Sequence, residues 1–324
     1  MPKHIFKPSP QRLIWFFVHS LILILSVYFI LTIDSWMLRL LLSIIVGHSF
    51  ACVFFLGHEI AHGTVVKDKK LIIFFSTICF APFGLHGKGW VYAHNGKHHL
   101  NTQHSVKDPD CFGNKKYRYN KILQRMTKFL PGSGSPLSYL FMFWYFSFYA
   151  IYIVWIYKPS IFTNRRDKIE SRLFLILVYA LWILFSALAM PFGFLYLFLI
   201  PLLISNFVVM SYISTNHFLN PLTSEVNDSL VNSLTVKTYK IFNVLHMNFS
   251  YHVEHHVFPY VNPKYAPLIS RALKEKFPNE YNEMSQAKAI KLLYQRPKFY
   301  HDEVTLINPE NKQKYPTIIL DDII

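Results

Sequence analysis

Apolar residues in this chain gather into long runs instead of alternating or striping. Leu13 to Thr32 and Trp36 to Gly57 are almost free of charge. Each is long enough to cross a hydrocarbon core, which takes about 20 residues. Asp34 and Ser35 form a tight turn between them. Leu71 to Leu85 is apolar but short, and Pro82 and Gly84 interrupt it, the pattern of a re-entrant or interfacial piece. Residues 86 to 136 are polar, basic and rich in histidine, closing on the turn-like Pro131-Gly132-Ser133-Gly134-Ser135-Pro136. Three more apolar runs follow: Leu137 to Tyr157, Leu173 to Met190 and Phe192 to Ile213. After Asn220 the chain reads as soluble, with short helices expected over about 264–277 and 281–294, parted by Phe277-Pro278-Asn279.

Histidines cluster between these runs. In Asn248 to Pro259, NFSYHVEHHVFP, His252, His255 and His256 stand at i, i+3 and i+4, and on an α-helix they share one face. His58 and His62 are four apart at the end of the second run. His94, His98 and His99 stand at i, i+4 and i+5, and His217 leaves the last run.

One metal centre cannot be assembled from both sides of a membrane, so topology has to bring these groups to one side. Lys158, Arg165, Arg166, Lys168 and Arg172 mark the segment before the fourth apolar run as cytoplasmic, and the basic 115–128 region is cytoplasmic by the same rule. The run 137–157, rich in Tyr and Trp, therefore enters and leaves on one side as an interfacial helix. The expectation is a single all-α polytopic membrane domain over 1–324. It has four transmembrane helices, at about 13–32, 36–57, 173–190 and 192–213, plus interfacial helices. A cytosolic helical cap of 58–136 and 214–324 holds a di-metal site, with both termini in the cytoplasm.

Composition agrees: 52% of residues are hydrophobic, 17% aromatic and 16% charged, against a usual quarter charged. The net charge of +15 sits in loops between apolar runs, so it reports membrane orientation and excludes a nucleic-acid footprint. The basic face suits anionic headgroups or an acidic partner. Cys52, Cys79 and Cys111 fit no disulfide framework and no zinc spacing, and read as reduced thiols filling apolar space. The first run lacks a small-residue cleavage site and reads as a retained helix.

Neutral imidazole is a ligand for iron, zinc or copper. Eight or nine histidines exceed what one ion takes, since catalytic zinc uses about three protein ligands. Two ions account for the number, and thiolate-free, all-histidine ligation in a membrane enzyme points to iron working with O2. His4, His19, His48, His86, His246 and His301 stand apart and read as interfacial or helix-capping residues; His104 lies close to the second cluster.

Gly57-His58-Glu59-Ile60-Ala61-His62-Gly63, His94-Asn95-Gly96-Lys97-His98-His99 and His252-Val253-Glu254-His255-His256 resemble the three histidine boxes of the integral-membrane fatty acid desaturase and hydroxylase superfamily. The flanks agree, with Thr102 and Lys107-Asp108-Pro109-Asp110 after the second box and Val257-Phe258-Pro259 after the third. The resemblance implies a di-iron centre with His58, His62, His94, His98, His99, His252, His255 and His256 as ligands, and His217 as the additional histidine many members carry. Glu59, Asn95, Asp108 and Glu254 would orient imidazoles through their other ring nitrogen. O2 would be co-substrate, a fatty acyl lipid the substrate, and a separate ferredoxin or cytochrome b5 type protein the electron donor, since no His-Pro-Gly-Gly haem motif occurs. The third box opens with His252 instead of Gln, unlike front-end desaturases. The lack of a fused electron carrier leans towards a bacterial inner membrane.

Two other classes compete. His58-Glu59-Ile60-Ala61-His62 is a literal H-E-x-x-H, the metalloprotease signature, but an intramembrane zinc protease leaves the other clusters without a task. A metal transporter would place ligands at mid-bilayer on broken helices, whereas the spans carry few ionisable residues. Within the superfamily, hydroxylation or ketolation of a lipid or carotenoid is the rival to desaturation.

Overall fold

The computed structural model describes residues 2–111, 125, 127–157, 161–223, 227–308 and 310–318. Residues 115–124, 126 and Lys158, which enter the charge argument above, lie outside the described residues. The chain forms two compact units: residues 1–92, 142–210 and 245–247 make the first, and 93–141, 211–244 and 248–324 the second.

The first unit is built around the helix Trp36–Ala61. In its apolar window 67% of residues are buried, against 17% for the helices Lys3–Thr32 and Arg165–Leu188, so it is the element the others pack on. Its lower end carries Arg39, buried in an apolar segment. The guanidinium is satisfied locally: Nε donates to the Ile30 carbonyl at 3.1 Å, and the group lies 3.6 Å over the Phe192 ring. Towards its other end Phe54 sits in a cage of rings, with centroids 5.3 Å from Phe80, 5.4 Å from Phe83, 5.3 Å from Trp90 and 4.9 Å from Phe146. Such edge-on pairs add about 0.5–1.5 kcal/mol each beyond burial. This cage lies one helical turn before His58 and fixes the end of the helix that presents the first histidine box. The helix then stops at Gly63, whose φ of +67° favours a residue without a side chain.

Asp68 opens the next helix, Lys69–Phe80, its Oδ1 accepting from the Lys70 and Leu71 amides at 2.9 Å. The helical stretch Lys69–Phe83 then bends by 92° into Gly87–His98, matching the broken, re-entrant character expected of 71–85. Lys88 anchors the second limb by pairing with Asp167 at 2.8 Å and Glu170 at 2.6 Å on the helix Arg165–Leu188.

Among the described residues, five helices are long and apolar enough to cross a membrane: Lys3–Thr32, Trp36–Ala61, Pro136–Ile156, Arg165–Leu188 and Gly193–His217. That is one more than the four spans expected. The additional helix is Pro136–Ile156, which the charge argument reads as interfacial; by length and composition it can cross.

The second unit consists of short helices joined by irregular segments, with short strands. Thr235–Lys237 pairs in parallel with Glu283–Ser285, Val236 opposite Met284, and Thr305–Ile307 pairs antiparallel with Lys314–Pro316. The first ladder lies just before the helix Gln286–Gln295, so the expected 281–294 helix begins later than its pattern implied. Ala266–Lys276 forms as anticipated.

Gly47 marks a close helix approach. A Cβ there would stand 2.6 Å from the Pro201 carbonyl oxygen, a backbone atom that cannot move aside. Gly47→Ala, which in an isolated helix gains about 1 kcal/mol, is expected to destabilise by about 1–3 kcal/mol through overpacking. The readout is a lowered thermal unfolding midpoint in detergent.

Candidate metal centre

Seven of the nine candidate histidines belong to the second unit, and they fall into two groups. His98, His217, His252 and His256 converge with their ligand atoms within 4.8 Å of one another, all buried. His252 Nε2 stands 2.7 Å from His217 Nε2 and 3.1 Å from His256 Nε2. In the second group His99 Nε2 lies 3.2 Å from His94 Nε2 and 3.0 Å from His255 Nε2.

The boxes are therefore divided between the groups. From the second box His98 joins one group and His94 and His99 the other. From the third box His252 and His256 join the first group and His255 the second. Neighbouring positions on an α-helix point about 100° apart, which is how adjacent His255 and His256 serve different groups.

His94 and His98 lie on a π-helical turn, Val91–His98, closed by the His99 amide donating to the His94 carbonyl at 3.0 Å, five residues back. On an α-helix position i+5 lies well round from i. The wider π-turn brings it back, so His94 and His99 can meet. The sequence carried this signal in the double histidine at i+4 and i+5.

The protonation pattern of the rings follows from their outer partners. Asp108 Oδ1 accepts from His98 Nδ1 at 2.9 Å, which turns Nε2 inward. Burial lowers the His98 pKa, but Asp108 and Asp110 outweigh it and raise it to about 9, so a metal would take the place of the Nε2 proton. That Nε2 is buried and has no hydrogen-bond partner among the described residues. Thr102 donates its one hydroxyl proton to the His98 carbonyl at 2.9 Å, so its 3.2 Å contact with His256 must be an Nδ1–H donating to the threonine oxygen. His256 Nε2 then carries a lone pair. Burial, and then the neighbouring His99, His252, His98 and His217, hold the His256 pKa well below the ordinary imidazole value, so the ring is neutral. Converging buried lone pairs cost about 1–3 kcal/mol each when unmet, and a cation meets them together. An all-imidazole group fits iron, zinc or copper and not magnesium or calcium.

Asp108 thus lies behind the outer ring nitrogen of His98. Asp110, which the sequence reading quoted only as part of a flank, joins it, its Oδ2 lying 3.4 Å from His98 Nδ1. Asn95 is half-buried on the same π-turn. Glu254 is held differently from the expectation: Thr235 Oγ1 donates to its Oε2 at 2.6 Å and the Tyr281 hydroxyl to its Oε1. Burial raises the Glu254 pKa, and these donors oppose the rise. Its contacts secure the box helix to the β-ladder through Thr235.

Gln103 is a residue that sequence reasoning passed over. It is a buried non-glycine at φ +61°, a conformation costing about 1–3 kcal/mol. Its amide N–H donates to Asp108 Oδ2 at 2.7 Å, and its side-chain Nε2 donates to the carbonyls of His217 at 2.7 Å and Asn220 at 3.0 Å. The helix Ile200–His217 ends there, leaving carbonyls without intrahelical partners. One residue therefore ties the carboxylate behind His98 to the helix end that carries His217.

His58 and His62 belong to the first unit, their rings 4.7 Å apart as the i, i+4 spacing requires. His58 Nδ1 meets Glu59 Oε1 at 3.1 Å, the orienting contact anticipated for Glu59, and the other oxygen, Oε2, accepts from Thr64 Oγ1 at 3.0 Å. With both oxygens engaged, Glu59 is poorly placed to be the general base that a protease reading of H-E-x-x-H needs.

A helical, multi-pass membrane protein with buried groups of converging imidazoles is the class these observations define. The sequence profile of the fatty acid desaturase family matches residues 34–288. The chain belongs to that family. It is 28% identical over 145 residues to the sn-1 acyl-lipid omega-3 desaturase (ferredoxin) of Synechocystis sp. (strain ATCC 27184 / PCC 6803 / Kazusa), a match covering 44% of this chain and 40% of that protein.

Asp108→Asn keeps the shape but weakens the hold on His98 Nδ1, and loss of such an outer partner typically lowers metal affinity 10–100-fold. A chelator competition on the purified protein measures this. Gln103→Ala is expected to release metal faster than the native protein; an unchanged release rate would show that the clamp does not position the ligands.

Proposed function

We propose that this protein is a non-haem di-iron, O2-dependent oxidoreductase that introduces a double bond into the fatty acyl chain of a lipid. The observation that carries this reading is the pair of imidazole groups in one unit, free of thiolate among the described residues, in a chain of the desaturase family. On this reading His98, His217, His252 and His256 hold one iron. His94, His99 and His255 hold the other, with His58 and His62 proposed as further ligands on the strength of the box pattern. When bound, the two irons supply the oxidising power to remove hydrogen from an unactivated C–H bond. Overall, one O2, two electrons and two protons are consumed, two hydrogens leave adjacent carbons, and two waters form.

The protein's part is to hold the imidazoles in place and to keep water from the acyl chain. Asp108 and Thr102 fix the orientations of the His98 and His256 rings, and a metal binding at His98 would displace the proton that the nearby carboxylates favour there. The first unit carries an apolar cavity of about 400 Å3 between Leu23, Val46, Phe50, Trp182 and Leu197, the kind of wall an acyl chain requires. The cyanobacterial relative's name supports an acyl lipid as substrate and a ferredoxin as donor. Electrons on this reading come from a separate small carrier, ferredoxin or cytochrome b5 type, drawn to the basic surface. The proposed setting is a bacterial inner membrane with the site and both termini cytoplasmic. Hydroxylation shares the first hydrogen abstraction and is the second reading.

Lipid mass spectrometry of cells expressing the protein separates the two. Desaturation lowers acyl mass by two hydrogens, and His256→Ala is expected to abolish the change. Acyl products that gain oxygen and no double bond would refute the desaturase assignment. Purified protein is expected to carry about two irons per chain; one zinc would instead favour the protease.

A further inference from the structure

Outside the eight box histidines and His217, a different donor set comes together in the first unit. His48 and Cys52 sit four apart on the helix Trp36–Ala61 and share a face. His246, from the 245–247 segment of the same unit, meets them. Its Nε2 is 3.1 Å from His48 Nε2, and Cys52 Sγ lies 3.6 Å from His48 Nδ1 and 4.0 Å from His48 Nε2. All three residues can offer donor atoms within 4.8 Å of one another. Cys52 and His246 are buried and His48 half-buried. His19 approaches from the helix Ile14–Thr32, its Nδ1 3.3 Å from Oγ of Ser49. Its Nε2 is buried and without a hydrogen-bond partner among the described residues. The sequence reading set these histidines aside as isolated and the cysteine as packing; the fold gathers them.

We propose that His48, Cys52 and His246 form a mononuclear site for a thiophilic closed-shell cation, Cu(I) or Zn(II), distinct from the histidine boxes. The spacing fits: nitrogen and sulfur ligands on one tetrahedral ion, bonded at about 2.0–2.3 Å, stand about 3.3–3.6 Å apart. The observed 3.1 and 4.0 Å bracket that range, so small side-chain rotations close the site. The donor chemistry separates it from the box groups, which contain imidazole and no sulfur. Thiolate selects the softer copper and zinc ions.

Charge orders the two ions. Binding releases the Cys52 thiol proton to solvent. A thiolate with Cu(I) is then neutral, whereas Zn(II) leaves one positive charge on a membrane-spanning helix, where uncompensated charge is costly. Copper is therefore held more tightly. The competing account is an imidazole pair sharing one N–H···N hydrogen bond beside an inert thiol, and it requires no metal.

The test uses the full chain in detergent, retaining its resident metal. It is loaded in parallel with Cu(I) under anaerobic conditions and with Zn(II), stripped over a chelating resin, and assayed for metal per chain and by X-ray absorption at the edge of the loaded ion. The expected result is about one retained ion with one sulfur neighbour and two or three nitrogens. Retention falls at least tenfold in Cys52→Ser and in His246→Ala and is unchanged in Cys111→Ser. Cys52→Ser replaces a single atom, and an unchanged unfolding profile shows that it folds, so loss of the sulfur signal reports the site itself. The sulfur neighbour also excludes stray copper on the boxes. Retention of neither ion, or a sulfur neighbour that survives Cys52→Ser, overturns the proposal.

Discussion

Everything at the centre depends on how each imidazole is held from behind. A neutral imidazole has one N–H and one lone pair, and which nitrogen bears which is set by the partner on its far side. At His98 that partner is Asp108, and at His256 it is Thr102, whose proton is already committed to the His98 carbonyl. These contacts turn the Nε2 atoms inward, where His98 Nε2 meets no hydrogen-bond partner among the described residues. A buried nitrogen left that way is a cost to the metal-free fold that a cation removes.

The same contacts tie distant parts of the second unit together. Gln103 accepts a strained backbone in exchange for three bonds, to Asp108, His217 and Asn220, and Tyr300 donates to the same Asn220 carbonyl. Glu254, placed between His252 and His255, is secured by Thr235 and Tyr281, which flank the parallel ladder. The short strands thus serve as an anchor for the third box. In the first unit apolar packing does the equivalent work, with the Phe54 cage and the Gly47 contact fixing the helix that carries His58 and His62.

Much of this was legible from spacing. The i, i+3, i+4 pattern of His252, His255 and His256 forms the helix it implies, and the i, i+4 pair His58 and His62 lies ring to ring. The broken limb at Pro82 and Gly84 was visible too. The partition of the second and third boxes between two groups was not. Box membership is a property of adjacency along the chain, whereas group membership depends on which way each ring points and on the π-turn at Val91–His98. Likewise Glu59 and Asp108 meet histidines as expected, while Glu254 turns to Thr235 and Tyr281, because a residue between two ligands on a short helix can face either way.

By itself the sequence determined the class of protein and marked out the histidines that cluster, because apolar run length and histidine spacing are local and periodic. Only the tertiary structure decided which imidazoles share a group, that Gln103 joins two of the ligand-bearing segments, and that His48, Cys52 and His246 are neighbours. Those contacts link residues up to 198 positions apart. No local pattern encodes them, since they arise where separate helices bury the same few polar atoms and each atom must find a partner there.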